Sequence, residues 1–314
     1  MSSARIVVIG GAHVDRRGRI FGSTRPGASN PGVWFEEAGG GGFNAARALS
    51  LLGHDVTMIS VAGGDSGAAL VEAAAARTGV RLNGFTFLDR QTPSYTAILE
   101  ADGNLVIALA DMALYDLMTA RRLKVNWLRD TLAGADFILC DANLPAETIE
   151  MLSADARSRS IPIAAIGISP AKIVRLVPAL PALDFVFMNE AEARTLAGPE
   201  TDAQGWPKHL ANMGLRGGAI TRGMKPALLW RDGATVALAP PPVETIGDVT
   251  GAGDAFAAGA IDAFLAGTRI SDMIRQATAL ARLTVQSPLA VAENVNRQLL
   301  SQALALVPQP EMLD

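Results

Sequence analysis

The stretch GDVTGAGDAFAAG, residues 247–259, sets three small residues directly before an aspartate at what reads as the mouth of a helix. Alanine-rich AFAAGAIDAFLAG continues it with good helix formers up to a stop at Gly267, so TGAGD is expected to be a loop feeding a helix N-terminus. The first turn of a helix has unpaired N–H groups, and small residues let the backbone approach a ligand, so an anion can rest there. Phosphoryl transfer needs charge on the migrating group neutralised, the reacting oxygens in line, and a base near the alcohol's proton. The N–H groups of Gly251, Ala252 and Gly253 would supply the first and Asp254 the last. The residues alone leave open that Asp254 merely caps the helix and the glycines merely turn.

Other phosphate signatures are missing. There is no G-x-x-x-x-G-K-[ST] and no H-R-D or D-F-G set. GGGFNA, residues 40–45, formally matches G-x-G-x-x-A, but the preceding VWFEEA is a poor central strand and RIVVIG lacks the pattern at its own exit. A dinucleotide site is therefore not expected.

The elements that must position these residues follow from short β-branched runs, RIVVIG, DVTMISV, DFILCD, IPIAAI, DFVFM and GGAIT, separated by helix-like segments such as DSGAALVEAAAARTG. Uninterrupted apolar strands are expected in a mostly parallel sheet covered on both faces, which makes the fold class α/β with three layers. Residues 18–37 and 85–110 instead alternate and turn at Gly, Asn-Pro or Asp-Gly, so a small β lid is expected, formed by about 16–38 and 85–112. No stretch has the makings of a linker, so residues 1–314 are read as one domain.

Composition agrees with a globular chain. The chain is 49% hydrophobic and 18% charged, with a net charge of −4 and dispersed Lys and Arg, so neither nucleic acid nor an anionic membrane is an expected partner. The single cysteine, Cys140, excludes an internal disulfide and suits the cytoplasm. The apolar opening ARIVVIGGAHV is too short to span a bilayer and reads as a first strand.

DVTGAGDAFAAGAIDAFLAG together with AGGGGFNAARALSLLG resembles the two signature regions of the PfkB or ribokinase family of carbohydrate and nucleoside kinases, in the family's order. The resemblance implies a ribokinase-like three-layer sandwich and transfer of the γ-phosphoryl group of ATP, with Mg²⁺, to a hydroxymethyl group of a sugar or nucleoside. Asp254 matches the family's catalytic base, and Gly251, Ala252 and Gly253 its anion hole. Asp15, Gly40, Gly41 and Asn44 match the acceptor site, although the family usually has Asn where this chain has His13. Asn44 can donate and accept at once, which suits a vicinal diol.

For the nucleotide, Asn189 and Glu192 match N-x-x-E, with Glu192 acting on Mg²⁺ through bound water. Thr221 and Gly223 match T-x-G-x-x-G, where Pro226 replaces the last glycine. Asp248 and Thr250 correspond to positions near a monovalent-cation site, which leaves K⁺ open as a cofactor, and relatives that dimerise through the lid leave open a homodimer.

Gly10 to Asp15, Ser29 to Gly32 and Asp111–Met112 are similar to elements of pseudouridine kinases, whereas GGGGFN is a form seen in sugar kinases. The expected reaction is therefore pseudouridine to pseudouridine 5′-phosphate, with a ribose- or fructose-type sugar kinase, or a catalytically silent sensor, as the alternatives.

Overall fold

The computed structural model describes residues 3–313. The chain opens with strand β1 (Arg5–Ile9), runs through β2 (His13–Ile20) and β3 (Gly32–Gly39), and enters helix α1 (Gly41–Leu51). Next come β4 (Asp55–Gly63), α2 (Ser66–Thr78), β5 (Arg81–Phe87), β6 (Ser94–Leu99) and β7 (Leu105–Asp111). The central part holds α3 (Asn126–Ala133), β8 (Phe137–Asp141), α4 (Ala146–Ser158), β9 (Ile163–Ile166), α5 (Pro170–Ile173), β10 (Phe185–Asn189), α6 (Glu190–Ala197) and α7 (Trp206–Asn212). The chain closes with β11 (Gly217–Thr221), β12 (Ala227–Arg231), β13 (Ala234–Leu238), α8 (Ala252–Leu265), α9 (Ile270–Val285), α10 (Arg297–Ala305) and β14 (Glu311–Leu313).

The large sheet has the order β14-β13-β12-β11-β10-β9-β8-β1-β4-β5, parallel from β5 to β11 and antiparallel beyond. Along β1, Ile6 and Val8 belong to the core under α1, α8 and α9, while Val7 and Ile9 belong to the core under α3, α4 and α6. Burial on both faces is the reason these strands read as unbroken apolar runs. Every run named from the sequence is a strand of this sheet, and the three-layer arrangement expected from them is what forms.

Asp65 accepts the Ala68 N–H at 3.1 Å to start α2, and Gly79 ends it at φ 77°. A buried cluster anchors α8: Asp262 accepts hydrogen bonds from Gln276 Nε2 and Arg297 Nη1, each at 2.5 Å, and from His54 Nε2 at 2.7 Å. The Ala4 N–H donates to His54 Nδ1, so the proton shared with Asp262 sits on Nε2. The helix whose N-terminus carries Asp254 is thus tied at its last turn to α9 and α10.

The separate small sheet has the order β3-β2-β6-β7, with the β6–β7 hairpin turning at Asp102-Gly103. Its limits differ from those read in the sequence. Phe85–Phe87 completes β5 against β4 at the edge of the large sheet, so the second half of the small sheet begins at Ser94. The first half begins at His13 rather than at about 16, and Asp15 is therefore a strand residue of this sheet, opposite Glu37 and beside Tyr95.

Candidate active site

Helix α8 starts at Ala252, not after Asp254, so GAG and Asp254 form its cap and first turn instead of a preceding loop. Gly251 is the cap at φ 77°, and a Cβ there would stand 2.0 Å from the Ala290 carbonyl oxygen. Only glycine fits such a conformation so close to backbone. Of the peptides expected to bind an anion, Ala252 turns its N–H back to the Val249 carbonyl at 3.3 Å. Gly253 is the opposite case: a Cβ built on it meets no atom within 4 Å, so its backbone opens onto free space at the positive end of the helix.

Asp254 follows in the first turn. Its Oδ2 accepts a hydrogen bond from Asn44 Nδ2 at 2.8 Å. Burial pushes its carboxyl from 3.8 up to about 7, opposed by the Asn44 bond and assisted by the charges of Asp141, Asp15 and Glu192. A carboxylate in that range suits a proton acceptor working near neutral pH. Asn44 Oδ1 in turn accepts from Arg47 Nη2 at 2.7 Å, so the amide is held at both ends by its own chain and keeps only its second N–H and second lone pair for a ligand.

Asp254 lines a cavity of about 280 Å³ together with Gly253, Asn44, Gly40, Gly41, Asp15 and His13. His13 Nε2 lies 3.3 Å from Asp15 Oδ1, and its Nδ1 lies 3.0 Å from the hydroxyl of buried Tyr115. His13 therefore does more than face solvent in place of the family's Asn: it is strung between Tyr115 and the Asp15 carboxylate. Gly41 sits where a Cβ would come within 2.5 Å of Ile168 Cδ1 and 3.1 Å of Asp254 Oδ1. Ile168 itself holds φ at 69°, a strained value for a β-branched residue, and forms part of the cavity wall.

The same cavity reaches Asn189, Glu192, Thr221 and Thr250. Asn189 and Glu192 form a reciprocal capping box on α6, with Asn189 Oδ1 accepting from the Glu192 N–H at 3.0 Å and Glu192 Oε2 accepting from the Asn189 N–H at 2.9 Å. Glu192 is 3% exposed, and burial raises its carboxyl above the usual range. Its two oxygens each take one hydrogen bond from Asn189, which leaves acceptor capacity towards the cavity. That suits a magnesium ion reached through water, since Mg²⁺ keeps several waters and takes few protein carboxylates. Among the described residues no group of three or more His, Cys, Asp and Glu could hold a metal by itself.

A second cavity of about 390 Å³ joins the first at Thr221, Gly253 and Phe256. Its walls are apolar, among them Met224, Leu238, Val243, Ile246, Val249 and Val285, and Gly223 turns at its rim with φ 62°. A polar chamber and an apolar one meeting at a helix N-terminus fit a nucleotide whose phosphates lie at Gly253 and whose base lies in the apolar part. The Pro-rich run before the motif contributes Pro240 and Pro241 to this wall.

The pair proposed for a monovalent cation is occupied from within the chain. Asp248 Oδ1 accepts from the Thr250 N–H at 2.9 Å and hydroxyl at 2.8 Å, and Oδ2 is paired with Arg17 of β2, which also pairs with Glu37. Those bonds and the Arg17 charge, acting against burial, hold the Asp248 carboxyl below its usual value. A K⁺ ion at this pair would therefore have to share Asp248 with Arg17 and Thr250.

Several site residues escaped the sequence. Asp141 at the end of β8 is fully buried and accepts N–H bonds from Gly11 at 2.8 Å, Asn143 at 2.9 Å and Gly42 at 3.1 Å, so one carboxylate fixes the β1 exit to the start of α1. Burial raises its carboxyl. Its only signal was an acid ending an apolar strand. Tyr115 and Arg47 gave no signal. Asn30 of the SNPG element closes its own loop, its Oδ1 accepting from the Arg25 N–H at 2.8 Å.

The pfkB family carbohydrate kinase pattern matches residues 3–296. The chain is 31% identical to the uncharacterized sugar kinase YeiI of Escherichia coli over 96% of this chain and 83% of that one. It is 27% identical to the pseudouridine kinase of the same organism, over 62% of this chain and 61% of that one. A carbohydrate kinase from Agrobacterium tumefaciens superposes with a TM-score of 0.90 at 52% identity, covering 99% of this chain and all of the other (100%). The Arabidopsis thaliana ribokinase complexed with ribose and ATP superposes at 0.85 with 20% identity over 96% and 99% of the two chains, which shows the shared fold.

Proposed function

The chain belongs to the PfkB family of carbohydrate kinases and is an ATP-dependent phosphotransferase; we propose that its acceptor is an uncharged sugar or nucleoside, pseudouridine foremost, phosphorylated to pseudouridine 5′-phosphate. The lining of the acceptor cavity carries this reading. Asp15, Glu192 and Asp254 contribute three carboxylates to it, and no Lys or Arg is among its lining residues. A sugar phosphate or sugar acid would bring a further anion against them with no cation to receive it, whereas a polyol finds acceptors for its hydroxyls. Pseudouridine is supported by Gly10 to Asp15, Ser29 to Gly32 and Asp111–Met112 and by the partial likeness to pseudouridine kinase. The wider match to YeiI favours a plain neutral sugar as the second reading.

In this reading Asp15, oriented by His13, accepts hydrogen bonds from vicinal hydroxyls. Asp254 takes the proton of the hydroxymethyl group, and the Gly253 N–H faces the anion. ATP with Mg²⁺ supplies the γ-phosphoryl group and part of the charge compensation. The lid over the cavity keeps water from competing for that group. Trp34, Ile107 and Leu109 stand exposed on one face of the lid sheet, and we infer that a second copy covers them in a homodimer. Among the described residues no helix is long and apolar enough to cross a membrane, and a cytoplasmic site of action goes with nucleotide supply.

ATP consumption by the purified protein, with Mg²⁺ and pseudouridine, uridine, adenosine, ribose, fructose or a phosphorylated sugar, tests this. Preference for pseudouridine is expected. Turnover of a plain sugar would discard the nucleoside, turnover of a phosphorylated sugar would refute the uncharged acceptor, and tight acceptor binding without turnover would point to a sensor.

A further inference from the structure

Arg47 on α1 is a charged group that the transfer chemistry above leaves unused. It is 4% exposed, and burial lowers its pKa to about 10. Its guanidinium lies 4.8 Å from the centre of the Phe43 ring. Nη2 donates to two neutral oxygens, the Ala38 carbonyl at 2.9 Å and Asn44 Oδ1 at 2.7 Å, and among the described residues Nε has no hydrogen-bond partner. An apolar side chain of the same volume would pack here without desolvating a charge, so packing does not account for the guanidinium.

Its contacts do. From Arg47 Nη2 to Asn44 Oδ1, and from Asn44 Nδ2 to Asp254 Oδ2, two hydrogen bonds run from a buried cation to the acceptor of the proton. A guanidinium only donates, so it can face only the carbonyl end of Asn44, and the NH₂ end must then point at Asp254. We propose that Arg47 is a positioning residue for the phosphoryl transfer: it locks the orientation of Asn44, so that Asn44 donates to Asp254 and holds that carboxylate in place. The bond to Ala38 ties the same guanidinium to β3, whose neighbouring residue Glu37 stands opposite Asp15, so the alignment of the base is mechanically joined to the strand pair that carries the acceptor's carboxylate. The inference rests on reading Asp254 as the base.

Asp254 is faced by Asp141 from β8, Asp15 from the lid, Glu192 from α6 and the Arg47–Asn44 pair from α1, so only the last of these favours its ionised form. A flipped Asn44 would present its carbonyl to a carboxylate already crowded by three others.

The test is a ¹³C titration of aspartate-labelled full-length protein, with Asp254 identified by Asp254→Asn; it needs no turnover. Arg47→Met removes the guanidinium at similar volume. The Asp254 midpoint is expected to rise by roughly half a pH unit or more in Arg47→Met and in Asn44→Ala, with Arg47→Lys intermediate. Adding Arg47→Met to Asn44→Ala should move it little further, because the effect runs through Asn44, whereas a direct charge effect would add in full. With an acceptor that wild type phosphorylates, the acid limb of the kcat profile should shift by the same amount while acceptor KM changes less. An unmoved midpoint in folded Arg47→Met, or full additivity, overturns the proposal; if Arg47→Met does not fold, an unmoved midpoint in Asn44→Ala overturns it equally. Failure to phosphorylate any acceptor would instead refute the assigned reaction, and the titration would still decide the role of Arg47.

Discussion

Replacing Asp254 by Asn should stabilise the protein while disabling it, and the gain should depend on pH in a defined direction. Burial holds the carboxyl at about 7 in the folded chain, against 3.8 for the ordinary group. The folded state therefore binds a proton that the unfolded chain has already lost, and the penalty for ionising Asp254 is absent below 3.8, grows between 3.8 and about 7, and is complete above 7. The interval is about three pH units, worth at most about 4 kcal/mol at about 1.4 kcal/mol per unit. At pH 5 only about 1.5 kcal/mol of it has accrued. Asn keeps the shape and still accepts the Asn44 N–H through its carbonyl, so the substitution removes the penalty without opening a cavity. Urea unfolding of both proteins at pH 5 and pH 8 should show Asp254→Asn more stable at both, by roughly 2–3 kcal/mol more at pH 8 than at pH 5. Acceptor affinity by calorimetry should persist, and kcat should fall by roughly 10² or more. An equal gain at the two pH values, or a loss at pH 8, would refute the buried-base account; retained turnover would refute the catalytic role.

Two further outcomes follow from the lid. Because Arg17 occupies Asp248, wild-type turnover should differ by less than about twofold between KCl and choline chloride, and Arg17→Ala should expose a dependence on K⁺ where there was none; several-fold activation of wild type by K⁺ would show that Arg17 yields the site. Exposed Trp34 and Ile107, at 50% and 65% and on one face of the small sheet, should be covered in a dimer, so light scattering on a size-exclusion column should give twice the chain mass, falling to the monomer in Trp34→Asp combined with Ile107→Asp; a monomeric wild type would remove the homodimer.

The large sheet was legible because its strands are buried on both faces, which leaves a one-dimensional mark: RIVVI and FILCD have no polar side to show. The lid was legible in kind but not in extent. FTF in β5 alternates like a lid strand, yet it pairs with β4 in parallel at an edge of the large sheet where one side meets solvent, and alternation cannot tell those two situations apart. At the site, the placement of Gly253 and Asp254 together at a helix terminus was readable, since it depends on residues adjacent in sequence. Asp141 was not, because its meaning lies in bonds to Gly11 and Gly42, 130 and 99 residues away. Arg17 with Asp248, 231 residues apart, is a further case, since no local pattern could have shown that an arginine reaches this aspartate.

The same distances explain why lid and base form one device. β2 carries His13, Asp15 and Arg17, and so brings together the imidazole bonded to Tyr115, the carboxylate proposed to receive the acceptor and the partner of Asp248. β3, paired to it residue by residue, carries one residue before its end the Ala38 carbonyl held by Arg47. If the lid shifts as it closes, these contacts would carry the displacement to both sides of the α8 N-terminus, to Asp248 before it and, through Arg47 and Asn44, to Asp254 within it. Misplacing the base by even a fraction of an ångström loses the in-line geometry on which transfer depends. An acceptor that fails to seat against Asp15 would therefore leave Asp254 poorly aligned as well as leaving the cavity open to water, which makes futile ATP hydrolysis doubly disfavoured. Lid residues remote from the γ-phosphoryl position are accordingly expected to act on kcat, and not on acceptor affinity alone.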